Sequence, residues 1–207
     1  MYLAQTDHRR IAIDTVKAEH RSLGDVIELL RHLLTDIAGG HSAPEFELLS
    51  LAMYYIDEFQ SQLHHRKEDE HLFAAIRRYT RELDHAIAQL RSEHRTDEQM
   101  VRELYRLVVI YQAGAPEALE NLRTSLDVYA EMIYEHMRKE ETLIEDARVV
   151  LPDEEWRAIA NAFLADEDPL FGVQRRREFS LLHDRIVSLL PRKMRASATG
   201  TLRIAPA

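Results

Sequence analysis

Residues 64–72 read HHRKEDEHL and residues 136–144 read HMRKEETLI, two near-copies that each carry His-x-x-x-Glu: His64 with Glu68, and His136 with Glu140. Upstream of each lies a second echo, Glu19-His20-Arg21-Ser22 and Glu93-His94-Arg95-Thr96. The order His, then His-x-x-x-Glu, therefore occurs twice. Imidazole nitrogen and carboxylate oxygen suit zinc, iron, manganese and copper. A four-residue step on a helix sets both side chains of each motif on one face. Four imidazoles and two carboxylates recurring in this order predict a dinuclear metal centre in the core of a helical bundle.

The composition narrows the alternatives. The chain has no cysteine, which excludes disulfides, thiolate zinc sites, Cys-ligated iron–sulfur clusters and thiol catalysis together. A net charge of −9 argues against a nucleic-acid binder, which needs a basic face. No apolar run approaches the ~20 residues that span a bilayer. The segment MYLAQTDHRRIAIDT has no signal-peptide apolar region, so a cytoplasmic protein without a membrane partner is expected. With 207 residues, 45% of them hydrophobic, the chain can bury one sizeable core. Only 6 Gly and 6 Pro suit long helices better than many short strands.

Breakers set the helix limits. Gly39-Gly40-His41-Ser42-Ala43-Pro44, Tyr79-Thr80-Arg81, Ala113-Gly114-Ala115-Pro116, Leu151-Pro152-Asp153 and Asp168-Pro169 divide the chain into helices over 10–38, 44–79, 81–112, 116–149, 153–166 and 172–190. Thr80 is the expected N-cap of the third helix, and Pro116 suits the first turn of the fourth. The reading is all-α: an up-down-up-down four-helix bundle over 1–150, a helical extension over 151–190 that adds two helices, and a disordered tail over 191–207.

The apolar stripes carry the site residues. Helix 1 places Ile13, Val16, His20, Leu23, Ile27, Leu30 and Leu34 at steps of three and four; helix 3 places Leu83, Ile87, Leu90, His94, Asp97, Val101, Leu104 and Val108. Helix 4 places Leu122, Leu126, Tyr129, Ile133, His136, Glu140 and Leu143 in the same way. Helix 2 is less regular: its stripe of Leu49, Met53, Ile56, Phe59 and Leu63 runs beside His64 rather than through it. His20 and His64 each lie about twenty residues from the first loop, and His94 and His136 about twenty from the third. His64 and His94 lie about fifteen from the Thr80 break, so at ~1.5 Å per residue all four share one level of an antiparallel bundle.

On these residues the chain resembles the hemerythrin-like (HHE cation-binding) family over roughly residues 10–150. The resemblance implies a non-haem centre of two iron ions, bridged by Glu68 and Glu140 and capped by His20, His64, His94 and His136. Zinc or manganese would also suit the ligands. Members of the family bind oxygen or nitric oxide, sense redox state or iron, or support repair of iron–sulfur centres. Oxygen-carrying hemerythrins use five histidines, and only four here fall cleanly on the level. The candidates for a fifth are His71, one turn beyond Glu68, and His41 in the first loop. Repair members usually carry a cysteine-bearing N-terminal segment, whereas this chain starts almost directly with helix 1.

The remaining polar residues take blander roles. In a regular helix His65 points about 100° from His64, toward the surface or the outer edge of the site. Asp97, one turn past His94, is placed to accept a hydrogen bond from a ligating imidazole. Tyr54, Asp57 and Ser61 run toward His64, as a polar access path or a solvated edge. Tyr129 is expected to pack in the core. Arg175-Arg176-Arg177 reads as a solvated basic patch, and Phe179, Leu182, Ile186 and Leu189-Leu190 as an apolar face that packs on the bundle or on a second copy. The function expected is binding or sensing of a small diatomic ligand, passed to a signalling partner, rather than catalysis. The alternatives are an enzyme acting on peroxide, oxygen or nitric oxide, support of iron–sulfur repair, and a structural bundle with an incidental zinc site.

Overall fold

A computed structural model describes residues 7–172 and 176–189 of the chain. Among these residues the fold is all-α, with six helices and no strand. Helix α1 spans His8–Ala38. Helix α2 runs over residues 46–79 and changes pitch along its length. Helices α3 (Asp84–Gln112) and α4 (Ala118–Val150) complete an antiparallel bundle, and α5 (Asp153–Ala165) and α6 (Ser180–Leu189) follow it. No helix among the described residues is long and apolar enough to cross a membrane.

Local chemistry explains the ends. The Asp7 carboxylate caps α1 by accepting from Arg10 N at 3.0 Å. Gly40 and Gly114 take left-handed backbone, φ 71° and 76°, just past the ends of α1 and α3, where a Cβ would be strained. Asp153, Glu154 and Glu155 crowd the first turn of α5, where carboxylates favour the helix dipole. Thr80 does not cap α3 directly. Its Oγ1 accepts from Glu82 N at 3.1 Å in a turn, and the helix starts at Asp84.

The irregular stripe of helix 2 has a structural cause. Ile56–His64 and Glu68–Phe73 are π-helical, separated by one α turn at His65–Lys67. The His65 N–H bonds to Gln60 O, five residues back. A π turn holds about one residue more than an α turn and resets the phase of whatever follows. The apolar residues up to Phe59 and the His/Glu residues after it thereby face the same interior.

Two apolar clusters fill the bundle. Toward the α1–α2 loop lie Leu23, Ile27, Leu30, Met53, Phe59, Val101, Leu126 and Ile133, joined by Phe179, Leu182 and Ile186. Toward the other end lie Ile13, Val16, Phe73, Ile76, Ile87, Leu90, Leu143 and Ile144, joined by Trp156, Ile159 and Phe163 of α5. The apolar face expected near the C-terminus thus packs on the bundle as far as Ile186. Leu190 and the side chain of Leu189, the tail over 191–207, and Arg175 fall outside the described residues. Helix α5 packs along α1 and against the second π segment of α2, closing the groove between those helices. Between the two clusters lies a layer of buried polar side chains.

Candidate metal centre

Each long helix supplies this layer from its interior stripe: α1 gives Glu19 and His20, α2 gives His64, His65, Lys67 and Glu68, α3 gives His94 and Asp97, and α4 gives His136 and Glu140, all of them buried. The six residues expected at the site meet there. His20, His64, Glu68 and Glu140 bring ligand atoms within 4.8 Å of one another, and so do Glu68, His94, His136 and Glu140. The two carboxylates belong to both groups, so they lie where bridging groups of a two-metal centre would lie.

The contacts fit cations better than hydrogen bonds. His20 Nε2 lies 3.2 Å from Glu140 Oε2, His64 Nε2 3.2 Å from Glu68 Oε1, and His136 Nε2 3.0 Å from Glu140 Oε1. His94 Nε2 is 3.5 Å from Glu68 and 3.3 Å from Glu140. Adjacent ligands at ~2.1 Å from one metal stand about 3 Å apart. His20 Nε2, His64 Nε2, His136 Nε2, both oxygens of Glu68 and Oε2 of Glu140 are buried with no hydrogen-bond partner. Stranding that many polar atoms in a core costs several kcal/mol each, and a cation offsets it. All the donors are nitrogen or oxygen, the set that iron, zinc and manganese accept.

An outer row of carboxylates holds the imidazoles. His64 Nδ1 donates to Glu19 at 2.7 Å and His136 Nδ1 to Glu93 at 2.9 Å. His20 Nδ1 lies 3.3 Å from Glu141, and His94 Nδ1 lies 3.6 Å from Asp69. A carboxylate can only accept, so Nδ1 of His20, His64 and His136 carries the hydrogen and Nε2 is turned inward, whereas His94 Nδ1 faces Asp69 beyond hydrogen-bond distance. Lys67 donates to Glu19 at 2.6 Å and Lys139 to Glu93 at 2.5 Å. The sequence repeat therefore has a spatial meaning. The glutamate before His20 holds His64, the glutamate before His94 holds His136, and the residue after each inner glutamate faces the lone histidine of the other half. Both the Glu–His echoes and the lysine three residues after each motif histidine were visible in the sequence; only the crossing of partners was not.

His65 is the residue that sequence reasoning misplaced. It is buried rather than peripheral, stacked on the His94 ring at 3.9 Å between centroids and edge-on to His136 at 5.5 Å. Ring nitrogens of His65, His94 and His136 fall within 4.8 Å of one another. Its inward turn follows from the π segment immediately before it, which an α-helical phase of 100° does not anticipate. The two residues proposed as a fifth histidine, His71 and His41, are exposed and outside the layer.

Other expectations are corrected nearby. Asp97 accepts from Ser61 Oγ at 2.9 Å rather than from a ligating imidazole; the closest ring nitrogen is His65 Nδ1 at 3.8 Å. Burial raises the Asp97 carboxyl, against the hydrogen bond from Ser61. Tyr129 does pack in the core, with its hydroxyl facing that carboxyl. Gln60 lies 2.9 Å from His65 Nε2. Tyr54 stacks on Phe179 at 5.5 Å instead of lining an access path. Arg176 pairs with Glu58 at 3.3 Å on the surface, and Arg177 is exposed.

No curated protein and no solved structure matches the chain. The family model for the hemerythrin HHE cation-binding domain matches residues 11–147, a span that holds every inward-facing histidine and glutamate described above and stops short of α5. By that match, which covers well over half its length, the chain belongs to the hemerythrin HHE cation-binding domain family.

Proposed function

We propose that the protein is a non-haem di-iron protein that binds or senses a small diatomic ligand, oxygen or nitric oxide. The observation that carries this reading is an unequal histidine count in an otherwise near-twofold site. His20 and His64 serve one half, whereas His94, His136 and His65 gather at the other. Two irons held by these residues would differ in the number of protein donors, and the half with fewer histidines would be the one to take an outside ligand. A di-iron pair supplies the electrons that hold a diatomic gas. The chain's part is to fix six or seven donors, seal them from bulk water with Leu23, Leu90, Val101 and Ile133, and orient the imidazoles through Glu19, Glu93, Glu141 and Asp69. The test is metal analysis of protein from iron-replete cells, followed by anaerobic reduction and exposure to each gas. Two irons per chain and a change in the visible spectrum are expected. A flat spectrum with both gases, with iron bound, would overturn the gas-binding reading.

One observation favours turnover instead. Ser61, Asp97 and Tyr129 form a buried protic cluster beside His65. Sustained consumption of peroxide by the iron-loaded protein, lost in Asp97→Asn at unchanged iron content, would establish the enzyme reading.

A further inference from the structure

The two outer rows that steady the centre are copies in sequence but not in surroundings. On one side Lys139 reaches, among the described residues, only Glu93 and stays 33% exposed. On the other Lys67 is 2% exposed and has more partners. Its ammonium donates to Glu19 at 2.6 Å and to the backbone oxygen of Asp166 at 3.0 Å. It lies 4.8 Å from the ring centre of Phe163 and 5.5 Å from that of Phe59. Asp166 is the residue that ends α5. A cation at a helix C-terminus meets the negative end of the helix dipole, and over an aromatic face it gains further attraction once desolvated. Phe163 also stands edge-on to the His64 ring, 6.3 Å between centroids. Arg66 adds an ion pair to the Asp166 carboxylate at 3.3 Å.

An unbroken row of contacts therefore runs from the inner face of His64 to the end of α5: His64 Nδ1 to Glu19, Glu19 to Lys67, Lys67 to Asp166 O. Among the described residues, the equivalent row from His136 stops at Lys139. Helix α5 lies beyond the matched domain, and it buries Trp156, Ile159, Ala160 and Phe163 against the bundle on this side.

We propose that α5 is a metal-coupled cover: filling of the His20–His64 half and docking of α5 are one linked event, with Lys67 as the positioning residue that joins them. The proposal rests on the reading of the layer as a metal centre. A cation that draws His64 Nε2 inward would fix the Glu19 hydrogen bond, which fixes the ammonium that donates to the Asp166 carbonyl just past α5. Linkage makes the effect mutual: whatever factor metal adds to docking, docking adds to metal affinity.

The experiment uses the full chain with zinc as a redox-inert probe, comparing zinc-loaded with chelator-treated protein. Bound zinc is counted, and hydrogen exchange of the α5 amides is followed. In the wild type, zinc should slow α5 exchange by roughly tenfold, the scale of ordinary coupling between sites. Lys139→Met should keep that response. Lys67→Met should abolish it and weaken one of the two zinc ions by a similar factor. Phe163→Leu, which leaves the ion pair in place, should loosen α5 in both states and weaken the same ion, and it keeps the test open if Lys67→Met does not fold. Two bound zincs with α5 exchange unchanged by metal would overturn the coupling alone. Equal loss of the response in Lys67→Met and Lys139→Met would overturn the assignment to Lys67. Failure of the wild type to bind zinc would remove the metal reading as well, and the zinc count separates that case from the others.

Discussion

At the scale of single residues, the chemistry lies in which groups point inward and what holds them there. His65 and His71 test this directly, because one lies within the first motif and the other just after it, and only His65 is buried in the layer. His65→Ala should lower metal content or alter its spectrum while the fold persists; His71→Ala should leave metal at the wild-type level. Loss of metal in His71→Ala with retention in His65→Ala would reverse the assignment. The titration of the chelated protein provides a second test. Burial alone would lower the His64 and His94 pKa values, but neighbouring carboxylates outweigh it: Glu68 and Glu19 raise His64 to about 10, and Asp69, Glu140 and Glu68 raise His94 to about 11. Both values exceed the unfolded value of ~6.5. The stabilisation they contribute is therefore complete below that pH and is lost as pH rises through 10 to 11. The melting temperature of metal-free protein should fall across this alkaline range. Metal-loaded protein, in which the cation replaces those protons, should show a smaller fall. Identical pH profiles with and without metal would contradict this.

At the scale of elements, the sequence showed most where the helix is regular and least where it is not. The stripes of α1, α3 and α4 carried His20, His94, His136 and Glu140 inward, and equal distances from the loops put them on one level. His64 and Glu68 were found by their spacing alone, because the stripe of α2 did not pass through them. That mismatch was the visible trace of the π segment at Ile56–His64, yet nothing in residue type distinguishes a π turn from a locally irregular α turn, so His65 was read with the wrong phase. The role of α5 was not legible either. Its amphipathic pattern marks a buried face, but the contact of Lys67 with Asp166 pairs residues about a hundred positions apart and needs the fold. The π segment carries its own prediction. Inserting one alanine beside the exposed Gln62, where the turn is already at π width, would rotate the part of α2 before it by about 100° relative to the part after it. Either the apolar stripe or the His64–Glu68 face must then leave its seat. Helix content by circular dichroism should stay near wild type while metal content falls toward zero. Full metal content in this insertion variant would show that the phase set by the wide turns is not what aligns the site.

At the scale of the whole molecule, the polar layer divides one core into two. The clusters on either side are each well filled, but the seam between them crowds buried carboxylate and imidazole atoms together, several of them with no hydrogen-bond partner among the described residues. Without a cation that seam is the weakest level of the bundle, and all four long helices cross it. A metal pair bound only by the folded chain stabilises it by mass action, about 4 kcal/mol per site at a thousandfold excess of free ion over Kd. For a chain of this size each kcal/mol moves the midpoint by roughly 2–4 °C, so two filled sites should raise Tm by on the order of 15–30 °C. Because each half draws ligands from three helices, the gain should appear as one sharper cooperative transition rather than as protection of one end. Differential scanning calorimetry of loaded and chelated protein would check this. Equal midpoints would place the bound ions outside the core. Two separate transitions in the chelated protein, merging on loading, would identify the seam as the level at which the bundle comes apart.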